Sequence, residues 1–172
     1  MFEFVICILF IFAYSRQRRT GAITTFMVND IQRLREMTGA GVMECKRALT
    51  DAAGNFEAAV KLIAERGLAK ADKKATRETG AGHLESYIHN GRVGVLLLVR
   101  CETDFVAHAE PFRELAHNLA LHIAAAAPES PEALLAQPYI RDESITVQDF
   151  IKGTIAKVGE NIRVERFVRY EL

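Results

Sequence analysis

The stretch HLESYIHNGRVGVLLLVRCE, His83–Glu102, decides how the chain folds. HLESYIH has the two-residue alternation of a strand, and Asn90-Gly91 is the dipeptide that best supplies a tight two-residue hairpin turn. Beyond the turn, VGVLLLV (Val93–Val99) is apolar on both of its faces. Such a run predicts a central strand with both faces covered.

Downstream of this hairpin, Pro111 can open a helix whose apolar stripe is Phe112, Leu115, Ala116, Leu119 and Ile123, broken by Pro128 and Pro131. Thr146 with Asp149 resembles a capping box for a helix carrying Val147, Ile151, Ile155 and Val158, closed by Gly159. The last segment alternates, with Ile162, Val164, Val168 and Tyr170 on one face and Arg163, Glu165, Phe167 and Arg169 on the other. Arg166 interrupts the inward row, which suits an edge strand. Residues 83–172 therefore read as an α+β core domain, an antiparallel three-stranded sheet with packed helices.

Upstream, residues 27–67 read as a three-helix module. Asn29 caps the first helix (Ile31, Leu34, Met37), which stops at Thr38-Gly39-Ala40-Gly41. The second carries Val42, Cys45, Leu49 and Ala52 and ends at Gly54. The third starts from Asn55, repeats Phe56, Ala59, Val60, Ile63 and Ala64, and has Gly67 as its C′ residue. Residues 68–82 are polar and basic and predict an exposed linker, helical at first and broken at Gly80 and Gly82. Residues 1–26 read as an extension outside the fold, with Met27 as the natural start; the minority reading is a weak membrane anchor or an organelle-targeting segment. Their apolar run Phe2–Tyr14 spans only about 20 Å as a helix, against about 30 Å of bilayer hydrocarbon. The basic SRQRR follows that run, the reverse of a secretory signal.

Composition narrows the function classes. The chain has 172 residues, 49% of them hydrophobic, as a folded protein requires. Its net charge of zero divides into +2 over residues 1–26, +2 over 27–79 and −4 over 80–172, so no strongly basic face exists for nucleic acid. Cys7, Cys45 and Cys101 lack metal spacing and read as reduced thiols in a cytoplasmic protein. No membrane partner is expected. No phosphate-binding glycine loop, dinucleotide fingerprint or HExxH is present. His117 and His122 are five apart, wrong for one helical face, and His122 reads as a satisfied core histidine. The acids Glu102 and Asp104 have no second group placed beside them. The chain is not read as an enzyme, and no metal or cofactor is expected.

What remains is surface. Thr38-Gly39-Ala40-Gly41 is either an ordinary interhelical turn or a place where glycine lets a partner approach the backbone. In Thr103-Asp104-Phe105-Val106, Thr103 can cap a short helix. Phe105 then either tucks back onto the sheet or projects as an anchor for a partner.

At these two points the sequence resembles translation elongation factor Ts. LREMTGAGVMECKRAL (Leu34–Leu49) is similar to that family's N-terminal signature, CETDFVA (Cys101–Ala107) to its second, and VGENIRVERF (Val158–Phe167) to its C-terminal pattern. The resemblance implies a guanine-nucleotide exchange factor for elongation factor Tu, binding it both with GDP and nucleotide-free. It implies a ubiquitin-associated-like fold for the three-helix module. It places Thr103, Asp104, Phe105 and Val106 at the dislocation of the partner's Mg²⁺, and Arg35, Val42, Met43 and Lys46 against its GTPase domain. Val42 and Glu44 stand where many relatives have Met and Asp. Only Ala124–Ser144 separates the long helix from the final helix and strand, which suggests a short form with a single core copy. Such a form is expected to be a homodimer or to form a two-to-two complex. The alternative is a ubiquitin-associated-like scaffold that binds peptides without exchange activity.

Overall fold

The structure, a computed structural model, describes residues 28–172. The expectations for residues 1–26 lie outside them. By compactness the chain divides into two units, the first ending at Ile63 and the second running from Ala64 to Leu172.

In the first unit, α1 (28–38), α2 (Val42–Asp51) and the start of α3 (Phe56–Lys74) enclose a small core of Leu34, Cys45, Ala48, Leu49, Ala59 and Ile63. Asn55 caps α3 as expected, its Oδ1 accepting from Ala58 N–H at 3.1 Å. Asn29 does not cap α1, because residue 28 is already helical. Met37, expected on the inner stripe, is 61% exposed. Each i, i+3 step turns back about 60° around a helix, so two such steps in a row walk off the buried face. Val42 is likewise exposed rather than inward.

Gly67 does not end α3, which continues to Lys74. A Cβ at Gly67 would lie 3.0 Å from the Ala156 Cβ, so the missing side chain serves close helix packing. The expected linker is correspondingly different. Ala71 is buried in the second unit's core, and Asp72 meets Lys152 at 2.8 Å. Gly82 lies inside a strand.

The second unit is built on β1 (Ala81–His89), β2 (Val93–Cys101) and a C-terminal strand, with α4 (Asp104–Ala107) and α5 (Glu110–Ala126) following β2. Next come α6 (Pro131–Ala136), the small hairpin β3 (Pro138–Tyr139) and β4 (Asp142–Thr146), α7 (Val147–Val158) and β5 (Ile162–Glu171). The sheet order is β1-β2-β5, all antiparallel, so β2 is central as expected. Asn90 and Gly91 both have positive φ, and His89 pairs with Val93, which adds Arg92 to the loop. Pro111 lies in the first turn of α5, and all five stripe residues are buried. Thr146 Oγ1 accepts from Asp149 N–H at 3.1 Å and Gly159 closes α7 at φ 84°, both as expected.

Two expectations about the sheet are corrected. Val95, Leu97, Val99 and Cys101 of β2 face α5 and are buried, but the opposite face is open, with Leu96 42% exposed. The register shifts between Leu98 and Val99, which leaves Glu165 as the extra residue of a bulge in β5. A bulge reverses the alternation that follows it. Val168 and Tyr170 therefore join Leu84, Ile88 and Leu96 on the open face, while Phe167 packs against the core. Arg166 interrupts nothing, since it pairs with Leu98 on that open face. The hairpin β3–β4 and helix α6 have no counterpart in the sequence reading, because two- to six-residue elements carry little periodicity.

Candidate functional site

The end of β2 carries the most conspicuous surface feature. Past Cys101 the chain leaves the ladder, and Thr103 takes an extended conformation (φ −125°, ψ 154°) as N-cap of α4, its hydroxyl accepting from Val106 N–H. Four residues make one turn. Within that turn Val106 and Ala107 are buried, while Phe105 is 85% exposed. The projecting alternative, not the tucked one, describes this ring. Asp104 is exposed beside it, its Oδ2 3.5 Å from His108 Nδ1.

The base of the turn is held firmly. Glu160 Oε2 accepts from Thr103 N–H at 3.0 Å and Oε1 from the Thr103 hydroxyl at 2.7 Å. Glu102 Oε1 accepts from Asn161 N–H at 2.6 Å and lies 3.5 Å from Arg77 Nη1. Burial pushes the Cys101 thiol up, and the carboxylates of Glu160 and Asp104 add to the shift. That leaves Cys101 a poor nucleophile. The Cys45 thiol is also raised, mainly by burial.

The first unit presents a second surface. Gly39 (φ 68°) ends α1, donating its N–H to Arg35 O at 2.8 Å, and Thr38 Oγ1 donates to Leu34 O at 2.6 Å. Gly39 therefore has an ordinary turn role. Gly41 does not, since its φ of −65° suits any residue and a Cβ there would meet nothing within 4 Å. Arg35, Val42, Met43 and Lys46 are all exposed. Val28 lines one groove with Arg35 and Val42 and was not singled out from the sequence.

Other candidates resolve into structure. His122 is buried, accepting at Nδ1 from Ile140 N–H (3.3 Å) and lying 3.0 Å from Gln137 Oε1 through Nε2. Acceptance at Nδ1 places the proton on Nε2 and makes a neutral, satisfied core histidine. His117 pairs with Glu85 at 3.1 Å. Among the described residues no group of three or more His, Cys, Asp or Glu is arranged to hold a metal, and no helix is long and apolar enough to cross a membrane. The arrangement offers docking surfaces.

The family profile described as Elongation factor TS matches residues 102–172. Elongation factor Ts of Moorella thermoacetica is 42% identical, covering 83% of this chain and 93% of its own length. The protein of the same name from Fervidobacterium nodosum is 40% identical, covering 83% of this chain and 95% of its own. The chloroplastic elongation factor Ts of Cyanidioschyzon merolae is 42% identical, covering 83% and 91%. The Moorella alignment runs over 189 positions, more than the 172 residues here, so that relative carries internal residues this chain lacks.

Proposed function

The chain belongs to the elongation factor Ts family of translation elongation factors, and from that premise we propose that it is a guanine-nucleotide exchange factor for elongation factor Tu. The observation that carries the proposal is Phe105, a large apolar ring 85% exposed on a turn whose base is fixed. Exposing such a ring forgoes burial that a core position would supply, about 1.5–3 kcal/mol. An interface hot spot explains that arrangement, because aromatic anchors dominate binding energy.

The mechanism needs no chemistry of its own. A bound Mg²⁺ is the largest local charge at a phosphate site, and dislocating it weakens the hold on GDP. Phe105 acts as the apolar wedge between elements of the partner. Asp104 brings a charge that reorganises polar groups near the ion. Thr103 and Val106 anchor the turn rather than enter the partner, Val106 being buried. Arg35, Val42, Met43 and Lys46 dock the partner's GTPase domain. The factor must bind nucleotide-free Tu better than the GDP complex, and by reciprocity nucleotide then weakens the factor's grip.

The open sheet face, with Leu84, Ile88, Leu96, Val168 and Tyr170 exposed, suits a homodimer or a two-to-two complex. A ubiquitin-associated-like scaffold would use the Val42–Met43 face and leave Phe105 without a role. The test is release of fluorescent GDP from purified elongation factor Tu. Release accelerated by catalytic amounts of this chain supports exchange, and binding without acceleration supports the scaffold.

A further inference from the structure

We infer that Glu160 is a positioning residue for the exchange segment: its carboxylate takes both the backbone N–H and the hydroxyl of Thr103 and so sets the direction in which Phe105 leaves the sheet. The inference rests on the exchange reading above for its functional consequence, and on geometry for the rest.

The ladder between β2 and β5 ends at the pair Cys101–Ile162. In the same register the next residues to meet are Glu102 with Asn161 and Thr103 with Glu160. There the strands hold each other through side chains, with two carboxylates crossing in opposite directions. Glu102 accepts from Asn161 N–H at 2.6 Å, and Glu160 accepts from Thr103 N–H at 3.0 Å. Carboxylate oxygens thus replace the carbonyls that a longer ladder would supply, and charge-assisted bonds of this kind are about twice as strong as neutral ones.

The second Glu160 oxygen is the informative one. It accepts the Thr103 hydroxyl proton at 2.7 Å, which turns the hydroxyl's lone pairs toward Val106 N–H, 3.5 Å away. Thr103 is then fixed at its backbone, at its hydroxyl and through the turn it caps. Only a carboxylate can accept both donors with separate oxygens. The clamp is anchored in turn. Asn161 is 4% exposed and its Nδ2 donates to Ala75 O (3.3 Å) and Arg77 O (2.8 Å), while Lys74 Nζ donates to Gly159 O at 2.7 Å. The exit of α3, the turn before β5 and the exchange segment therefore form one hydrogen-bonded block.

Two measurements on the full chain test this. In Glu160→Ala, hydrogen exchange read by NMR is expected to be at least about tenfold faster at the Val106 and Ala107 amides, while Leu97 and Val99 in the ladder keep their rates. GDP release from elongation factor Tu at saturating factor is expected to slow about tenfold, since small misplacement of a positioned group costs that much or more. Glu160→Gln, with one acceptor oxygen for two donors, is expected to fall between parent and Glu160→Ala. Adding Glu160→Ala to Phe105→Ala should slow release no further, because the wedge it aims is already gone. A mere loss of folded protein would multiply the two effects. Unchanged exchange at Val106 and Ala107, or losses that multiply, overturns the positioning role. If the parent itself does not accelerate GDP release, the exchange reading fails; if Phe105→Ala alone releases GDP at the parental rate, the wedge fails; in either case the amide measurement still decides whether Glu160 holds the segment.

Discussion

Replacing Phe105 with alanine separates two roles by their magnitudes. A core phenylalanine loses about 3–5 kcal/mol of stability on truncation, and Phe112, fully buried, supplies that comparison within the same unit. Phe105 is 85% exposed, so the free chain is expected to lose no more than about 0.5 kcal/mol. Seated between elements of the partner, the ring would remove about 150 Å² of apolar surface from water, roughly 4 kcal/mol at 25 cal/mol per Å². Ordering the side chain and associating consume part of this. If about 1.4–2.7 kcal/mol survives at the exchange transition state, GDP release slows 10- to 100-fold. The assay is stopped-flow release of fluorescent GDP from elongation factor Tu at saturating factor, with melting curves run in parallel. Asp104→Asn keeps shape and removes charge, so it should slow release less if apolar wedging dominates. Chelating Mg²⁺ should narrow the gap between variants and parent, since less ion remains to be dislocated. Parental release from a Phe105→Ala protein that melts normally refutes the wedge.

Gly41→Ala should melt like the parent, since its backbone suits any residue and the space above it is empty. Slower exchange would assign Gly41 to the partner's approach, and an unchanged rate would refute that reading. Gly67→Val should cost about 1–3 kcal/mol in urea unfolding, because a side chain there pushes α3 off Ala156; equal or greater stability would refute the close packing. The Arg100 hydrogen bond holds the Glu165 carboxyl below its usual value. The resulting stabilisation is present above about pH 4.5 and is lost as pH falls through the folded value. Glu165→Gln should therefore lose less stability than the parent on acidification, and identical acid profiles would refute the contribution. Light scattering at micromolar concentration should show a dimer that Leu96→Lys converts to monomer, Leu96 lying on the open face. A monomeric parent would refute the assembly.

Local patterning alone determined the hairpin at Asn90-Gly91, the central place of β2, helices α5 and α7 with their ends, and the short turn that Thr103 caps. Each of these depends on residues within a few positions of one another, where period, caps and turn chemistry act directly. Tertiary structure decided the rest. The same residues of α4 permit Phe105 to tuck or to project; in the fold the ring projects, and the base of its turn is held by Glu160, 57 residues away in sequence. Gly67 reads as a helix end until α7 packs beside it. The bulge at Glu165 turns Val168 and Tyr170 outward, although the uninterrupted alternation of the sequence places them inward. A side chain's address within its element is written in short-range periodicity, but what it touches across the fold depends on partners that no local pattern specifies.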